Sequence, residues 1–297
     1  MKRHNSCTGL RRRSARKSNL LYNNAMEKAD RTLRILITAG GTSEKIDEVR
    51  RITNSGTGRL GALIAETFAA SDRGTQIDFL CSADAVRPKT HTARVTVAGD
   101  VSALKAEAER LAAETPYDII IHSMAVGDYR VRAVTDAALL GSEVLERLSF
   151  IACGDSSSPE EAVADAILSP PQIKDAKISS DKENLIVVLE KAPKIIALLR
   201  GLAPKAVIIG FKLLADADAE ELLRAGHALL VKNGCDFVFA NDMNTVRSDR
   251  HEGILIAPDR TAERAAGKGA IADLIVRRAL ARLAEKQAAG EGEKERL

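Results

Sequence analysis

From Arg34 onward the chain alternates short runs of aliphatic and β-branched residues with longer stretches whose apolar positions recur every three or four residues, the pattern of successive β-α-β units. RILITA (residues 34–39) reads as the first strand and residues 60–70 as the helix behind it. TQIDFLCS (75–82) reads as the second strand and 101–114 as an amphipathic helix. DIIIHS (118–123), almost wholly apolar, reads as a buried central strand. AVIIGF (206–211), DFVFAN (236–241) and GILIAP (253–258) follow as strands, with helices expected over 219–232 and 271–286. Residues 131–176 break this rhythm with Ser156, Ser157, Ser158 and Pro159, then Pro170 and Pro171, and read as a flap-like excursion from the core. KISSDKENLIVVLEK (177–191) reads as a hairpin, and Pro193 suits the first turn of a following helix.

Composition sharpens the fold class. Aromatic residues make up 3% of 297 and Trp is absent, so the apolar content is Ala, Ile, Leu and Val. That suits an α/β fold, a mostly parallel sheet covered by helices on both faces, better than an antiparallel sandwich. One domain over 34–297 is expected, with 131–176 as flap or insertion.

The net charge of +3 hides an asymmetry: Lys2, Arg3, Arg11, Arg12, Arg13, Arg16 and Lys17 fall in the first twenty residues without one acidic side chain, and the remainder carries −4. Residues 1–33 read as a disordered basic extension, with targeting or nucleic-acid contact as alternatives and Met26 as a second candidate start. A weakly acidic body gives no electrostatic reason to expect duplex nucleic acid as the main partner. No apolar run approaches the roughly 20 residues of a membrane span. Cys7, Cys81, Cys153 and Cys235 form no CxxC pair, which excludes the usual zinc spacings and points to reduced thiols in a cytoplasmic setting.

Candidate chemistry gathers at the expected strand ends. AGGTSEKID (39–47) follows the first strand, and Gly40 and Gly41 would admit a phosphate close to backbone amides, or simply make a tight turn. TNSGTGRLG (53–61) brings Gly56, Gly58 and Gly61 into a helix start nearby, which favours a nucleotide or phosphoester site. The dinucleotide fingerprint fails, because no GxGxxG follows the strand directly and the second strand ends in Cys81–Ser82 rather than an acidic residue. HSMAVGDYR (122–130) ends the central strand; Asp128 is a ligand carboxylate or a helix-capping one, and His122 reads more readily as a satisfied core histidine than as a base. Lys177 is a phosphate-reaching cation or a solvated lysine, Phe211 a base-stacking ring or core, and Asn241 a donor–acceptor for a ring edge.

Taken together, ILITAGGTSEKIDEVRRITNSGTGRLG, IHSMAVGDYR, AKISS, GFKLLAD and KNGCDFVFANDM resemble the phosphopantothenate–cysteine ligase family, in order from about residue 34 to 283 and most closely its stand-alone bacterial form. The resemblance implies a Rossmann-like fold, a homodimer, and a CTP-dependent, Mg²⁺-requiring ligation of 4′-phosphopantothenate to L-cysteine through an acyl-cytidylate. It implies Asn54 as the residue holding the acyl intermediate, Lys177 at the triphosphate, and Gly40, Gly41, Gly58, Gly61, Asp128, Phe211, Lys232 and Asn241 around the nucleotide. Met124 and Ala125 would line the pantothenate channel, and Arg50 would reach the neighbouring subunit's phosphopantothenate. No protein ligand to a metal is implied. Relatives carry a second lysine before the VFAND strand, which is missing around Ala228, with His227 or Arg224 as substitutes. On residues alone, a nicotinamide-dependent reductase and a non-catalytic nucleotide- or nucleic-acid-binding protein stay open.

Overall fold

The computed structural model describes residues 32–294 apart from 72, 115, 153–157 and 248–250; the basic extension with Met26, together with Cys7 and Cys153, lies outside the described residues. The strands in chain order are β1 (Leu33–Ala39), β2 (Ser43–Lys45), β3 (Arg51–Thr53), β4 (Thr75–Cys81), β5 (Ala93–Val97), β6 (Ile119–His122), β7 (Tyr129–Asp136), β8 (Leu185–Lys191), β9 (Val207–Leu214), β10 (Phe237–Asp242), β11 (Glu252–Ile256) and β12 (Ala262–Ala266). Eight of them form one sheet in the order β12-β11-β10-β9-β6-β1-β4-β5. The six from β10 to β5 run parallel, while β11 and β12 are added antiparallel at one edge.

Alternation along β1 explains the layering. Ile35 and Ile37 join Ile64 and Phe68 of the helix Arg59–Ala69 and Ile271 and Ile275 of the helix Lys268–Lys294 in one apolar cluster. Leu36 faces the other way, against Leu104 and Leu111 of the helix Val101–Glu114 and Leu199 of the helix Ile195–Leu202. A strand with both faces buried reads as a near-continuous apolar run, and β1 and β6 do so apart from Arg34, Thr38 and His122. The chain leaves β1 outward to β4 and β5, then returns to the other side of β1 as β6. Order therefore reverses between β1 and β6, and the crevice at their carboxyl ends is where an open α/β sheet of this Rossmann-like kind receives a ligand.

Several expectations need correction. Leu33 belongs to β1 rather than to the extension. Residues 177–191 are no local hairpin: β8 pairs antiparallel with β7, about fifty residues upstream, and the pair forms a separate arm with an irregularity between Val131 and Ala133. The supposed excursion thus begins with a strand and carries two helices, Ala137–Ala152 and Pro159–Leu168, the second opened by a capping box between Ser158 and Glu161. Pro193 precedes the helix cap at Lys194 instead of opening the helix. No described helix is long and apolar enough to cross a membrane.

Candidate functional site

A cavity of about 670 Å³ opens at the β1–β6 crevice. Its floor is Gly40 after β1 and Ser123–Asp128 after β6; its walls are residues 54–61, Pro193–Ile196, Phe211–Leu213, Asn241, His251 and Lys268. The loop 53–58 folds tightly onto the end of β1, and glycine is required there. A Cβ on Gly41 would stand 1.7 Å from the Asn54 carbonyl oxygen, and Gly40 has φ +92°. The Asn54 N–H donates to the Thr42 carbonyl at 2.9 Å, the Gly127 N–H to Thr42 Oγ1 at 2.9 Å, and the Ala125 N–H to the Gly40 carbonyl at 2.9 Å. Exposed Asn54 is thereby held at the cavity mouth, its Oδ1 near Gly127. Gly41 itself lies behind this loop and does not line the cavity.

The helix Arg59–Ala69 begins at Gly58 in the left-handed region, which supplies no side-chain cap, and its first turn from Arg59 to Gly61 lines the cavity, with the Arg59 N–H making only a long 3.5 Å contact to Thr57 Oγ1. Phe211 is half-buried, tilted 50° against Phe239 with centroids 5.6 Å apart, and its other side borders the cavity. Asn241 is buried and its side-chain amide makes no hydrogen bond among the described residues, which leaves donor and acceptor free for a guest. Its neighbour Asp242 is spent on the fold, accepting from Ala217 and Asn244 N–H groups. Asp128 is exposed and paired with Lys194 at 2.5 Å. Buried Met124 and half-buried Ala125 line the floor.

Lys177, Arg50 and Lys232 do not line this cavity. Arg50 donates to Asp47 at 2.9 Å and to the Ile178 carbonyl at 3.3 Å, while Asp47 accepts from the Val49, Arg50 and Ile178 N–H groups. The Arg50 N–H, with the other donors and the guanidinium, holds the Asp47 carboxyl below the usual carboxylate range. Arg50 and exposed Lys177 therefore ride on one clamped pair of segments. Lys232 is an exposed cation in the last turn of the helix Ala219–Asn233, where it suits the helix dipole. Neither proposed substitute reaches the cavity: Arg224 pairs loosely with Glu221 and His227 contacts the Pro258 carbonyl.

His122 is buried at the cavity floor, its Nδ1 2.8 Å from Thr38 Oγ1, and burial pushes its pKa down to about 4. It is neutral at pH 7 and satisfied by the fold, as the pattern of β6 led one to expect. The depressed value has a consequence for stability: the contribution is fully present above the unfolded value near 6.5 and is lost as pH falls toward the folded one. Urea midpoints should reveal about 2 kcal/mol lost between pH 7 and 5 from this group, and His122→Gln should flatten that dependence. Equal slopes for both proteins would refute the assignment.

The profile of the DNA/pantothenate metabolism flavoprotein C-terminal domain matches residues 31–148 and 159–283. The chain belongs to this family. A DNA/pantothenate metabolism flavoprotein from Streptococcus pneumoniae of known structure is 32% identical, with TM-score 0.67 over 84% of this chain and 100% of that one. The coenzyme A biosynthesis bifunctional protein CoaBC of Thermococcus kodakarensis is 28% identical over 76% of this chain, which spans only 45% of that protein. The mouse phosphopantothenate–cysteine ligase is 28% identical over 72% of this chain and 73% of its own length.

In this pantothenate-metabolism domain the cavity also holds cations that reading the sequence passed over: Arg59, Lys194, Lys212 and Lys268, with His251. Lys212 stood in the GFK stretch already noted for Phe211. Arg59 stood in the TNSGTGRLG stretch noted for its glycines, whereas Lys194, His251 and Lys268 carry no local motif, because only the topology brings them to the end of the sheet where β1 ends.

Proposed function

We propose that the chain is a phosphopantothenate–cysteine ligase of coenzyme A biosynthesis, working in the cytoplasm as a homodimer. The observation that carries this reading is that, in a domain of this family, Asn54, Asp128, Phe211 and Asn241 come from four separate segments to one cavity at the β1–β6 crevice. The mouse relative bears the ligase name over most of its length.

The chemistry needs a carboxylate turned into an acylating agent. In the first step a carboxylate oxygen of 4′-phosphopantothenate attacks the α-phosphorus of CTP, the bond to the bridging oxygen breaks, and pyrophosphate leaves. In the second, the cysteine amine attacks the acyl carbon, the acyl–oxygen bond breaks, CMP departs and the amine proton passes to solvent. The cavity's contribution is positioning and donors aimed at developing charge. Phe211 offers a face for the base and Asn241 a donor–acceptor pair for its edge. The first amides at Gly58 and Gly61 approach phosphate oxygens, Met124 and Ala125 border the pantothenate arm, and the Asn54 amide holds the acyl oxygen. Lys177 adds positive charge toward the triphosphate from the segment tied to the Arg50 loop, and Arg50 serves the second cavity of the dimer. Among the described residues no three His, Cys, Asp or Glu side chains gather as a metal site, and Asp128 is the one carboxylate on the cavity wall. Mg²⁺ therefore fits as part of the nucleotide substrate, carried by its phosphates.

Pyrophosphate release with 4′-phosphopantothenate, Mg²⁺ and either CTP or ATP, with and without cysteine, tests the reading. The expected result is release preferring CTP, with the cysteine amide formed only when cysteine is present. Folded protein that releases pyrophosphate with neither nucleotide would overturn it.

A further inference from the structure

The main sheet's geometry brings a second helix start to the cavity. β12 runs parallel to β10, so the helix Lys268–Lys294 begins at the same sheet edge as the helix Arg59–Ala69, and both pack on one face of the sheet. Each helix opens with a cation, Arg59 in one and Lys268 in the other, and neither has an acidic residue in its first turn. A cation at the positive end of a helix dipole is placed against the field. Among the described residues neither side chain forms an ion pair to relieve it.

Beside them stands His251. It is 6% exposed, it borders the cavity, and both ring nitrogens are buried without a hydrogen-bond partner. Its carbonyl accepts from the Gly267 N–H at 2.9 Å, which ties it to the start of the Lys268 helix. Burial and then the charge of Lys268 push the imidazole pKa down, so it enters as a neutral ring with one donor and one acceptor. A buried imidazole with neither nitrogen paired is costly unless something else pairs it. Two unpaired cations, two helix starts without an acidic residue in the first turn and one unsatisfied imidazole in the same wall are all relieved by a single guest, an anion with several acceptor oxygens.

We propose that His251 and Lys268, with Arg59 and the two helix starts, form a phosphoryl-binding subsite at this end of the cavity. The proposal deepens the ligase reading, under which two phosphorylated substrates enter: the nucleoside triphosphate and the phosphomonoester of 4′-phosphopantothenate. The recognised chemistry is common to both, a phosphoryl group carrying at least one full negative charge.

Titration calorimetry of the full chain with CTP, with 4′-phosphopantothenate and with inorganic pyrophosphate separates the sources. Lys268→Ala and His251→Gln are each expected to weaken at least one of these ligands, the same one in both variants, by threefold or more. The ligand affected names the source. Melting of the unliganded variants controls for folding, and Lys268→Met, which keeps the aliphatic stem, stands in if Lys268→Ala is unstable. If either position can be changed with every ligand bound within threefold of the wild type, the subsite is wrong, even where the protein turns over. If the wild type binds pyrophosphate in a Lys268-dependent way but neither CTP nor 4′-phosphopantothenate, the subsite stands and the ligase reading falls.

Discussion

Asn54→Asp will slow formation of the cysteine amide by about 100-fold or more while pyrophosphate release in the first turnover persists. The substitution keeps size and shape, so the loop over β1 should remain in place. What changes is the amide nitrogen: a donor aimed at the acyl oxygen becomes an acceptor carrying charge, set where negative charge develops in the second transition state. Loss of one preorganised donor of this kind costs on the order of 10²–10³ in rate. Rapid-quench measurement of pyrophosphate and of the cysteine product separates the steps, and a variant with normal product formation would remove Asn54 from catalysis. The same geometry gives Gly41 a supporting role. With its would-be Cβ 1.7 Å from the Asn54 carbonyl oxygen, Gly41→Ala must push the loop away, although Gly41 does not border the cavity.

How much of this was legible follows from where each signal resides. β1, β4, β6, β9 and β10 are buried runs whose composition is dictated by being covered on both faces, and the sequence displays them openly. β5 and β12 went unread for the opposite reason. ARVTV and AERAA are edge strands with three of five positions exposed in each, so alternation is diluted by Arg, Glu and Ala. The β7–β8 arm is hidden from the sequence because its pairing is non-local. LIVVLEK carries a strand pattern, but nothing within it tells that its partner begins at Tyr129 rather than at Lys177. The site divides in the same way. Asn54, Gly58, Asp128, Phe211 and Asn241 lie within continuous motifs at strand ends, and they meet in one cavity. Arg59 lies inside the glycine motif at 53–61, but Lys194, Lys268 and His251 are single residues whose meaning arises only from the topology, the last two from the antiparallel β11–β12 pair that returns the chain to the cavity end of the sheet. Arg50 and Lys177 were paired by neither motif nor spacing; the Asp47 clamp and the Ile178 contact join them.

The largest expected effect on stability lies at the opposite sheet edge, where Asp236→Asn will cost about 3 kcal/mol. Asp236 precedes β10 and is almost fully buried; it accepts from Arg200 at 3.0 Å, Arg282 at 3.1 Å and Lys286 at 2.7 Å, and from the Ile208 N–H at 3.0 Å. Burial pushes its carboxyl up, but Lys286, the Ile208 amide and Arg282 together pull it further down, leaving it below the usual carboxylate range. The variant leaves three cations facing one another around a neutral amide, and the penalty of an uncompensated cluster exceeds that of the lost contacts alone. Since the folded carboxyl is depressed, its contribution is present above the unfolded value near pH 4 and is lost as pH falls through the folded one. Wild type and variant should therefore differ most at neutral pH and converge on acidification, a comparison denaturant midpoints at pH 7 and pH 3 will make. Because the cluster lies at the amino ends of the strands, away from the cavity, the variant should keep its nucleotide affinity at a temperature where it is folded. A variant as stable as the wild type at pH 7 would mean that the three cations are held apart by solvent instead of by this carboxylate.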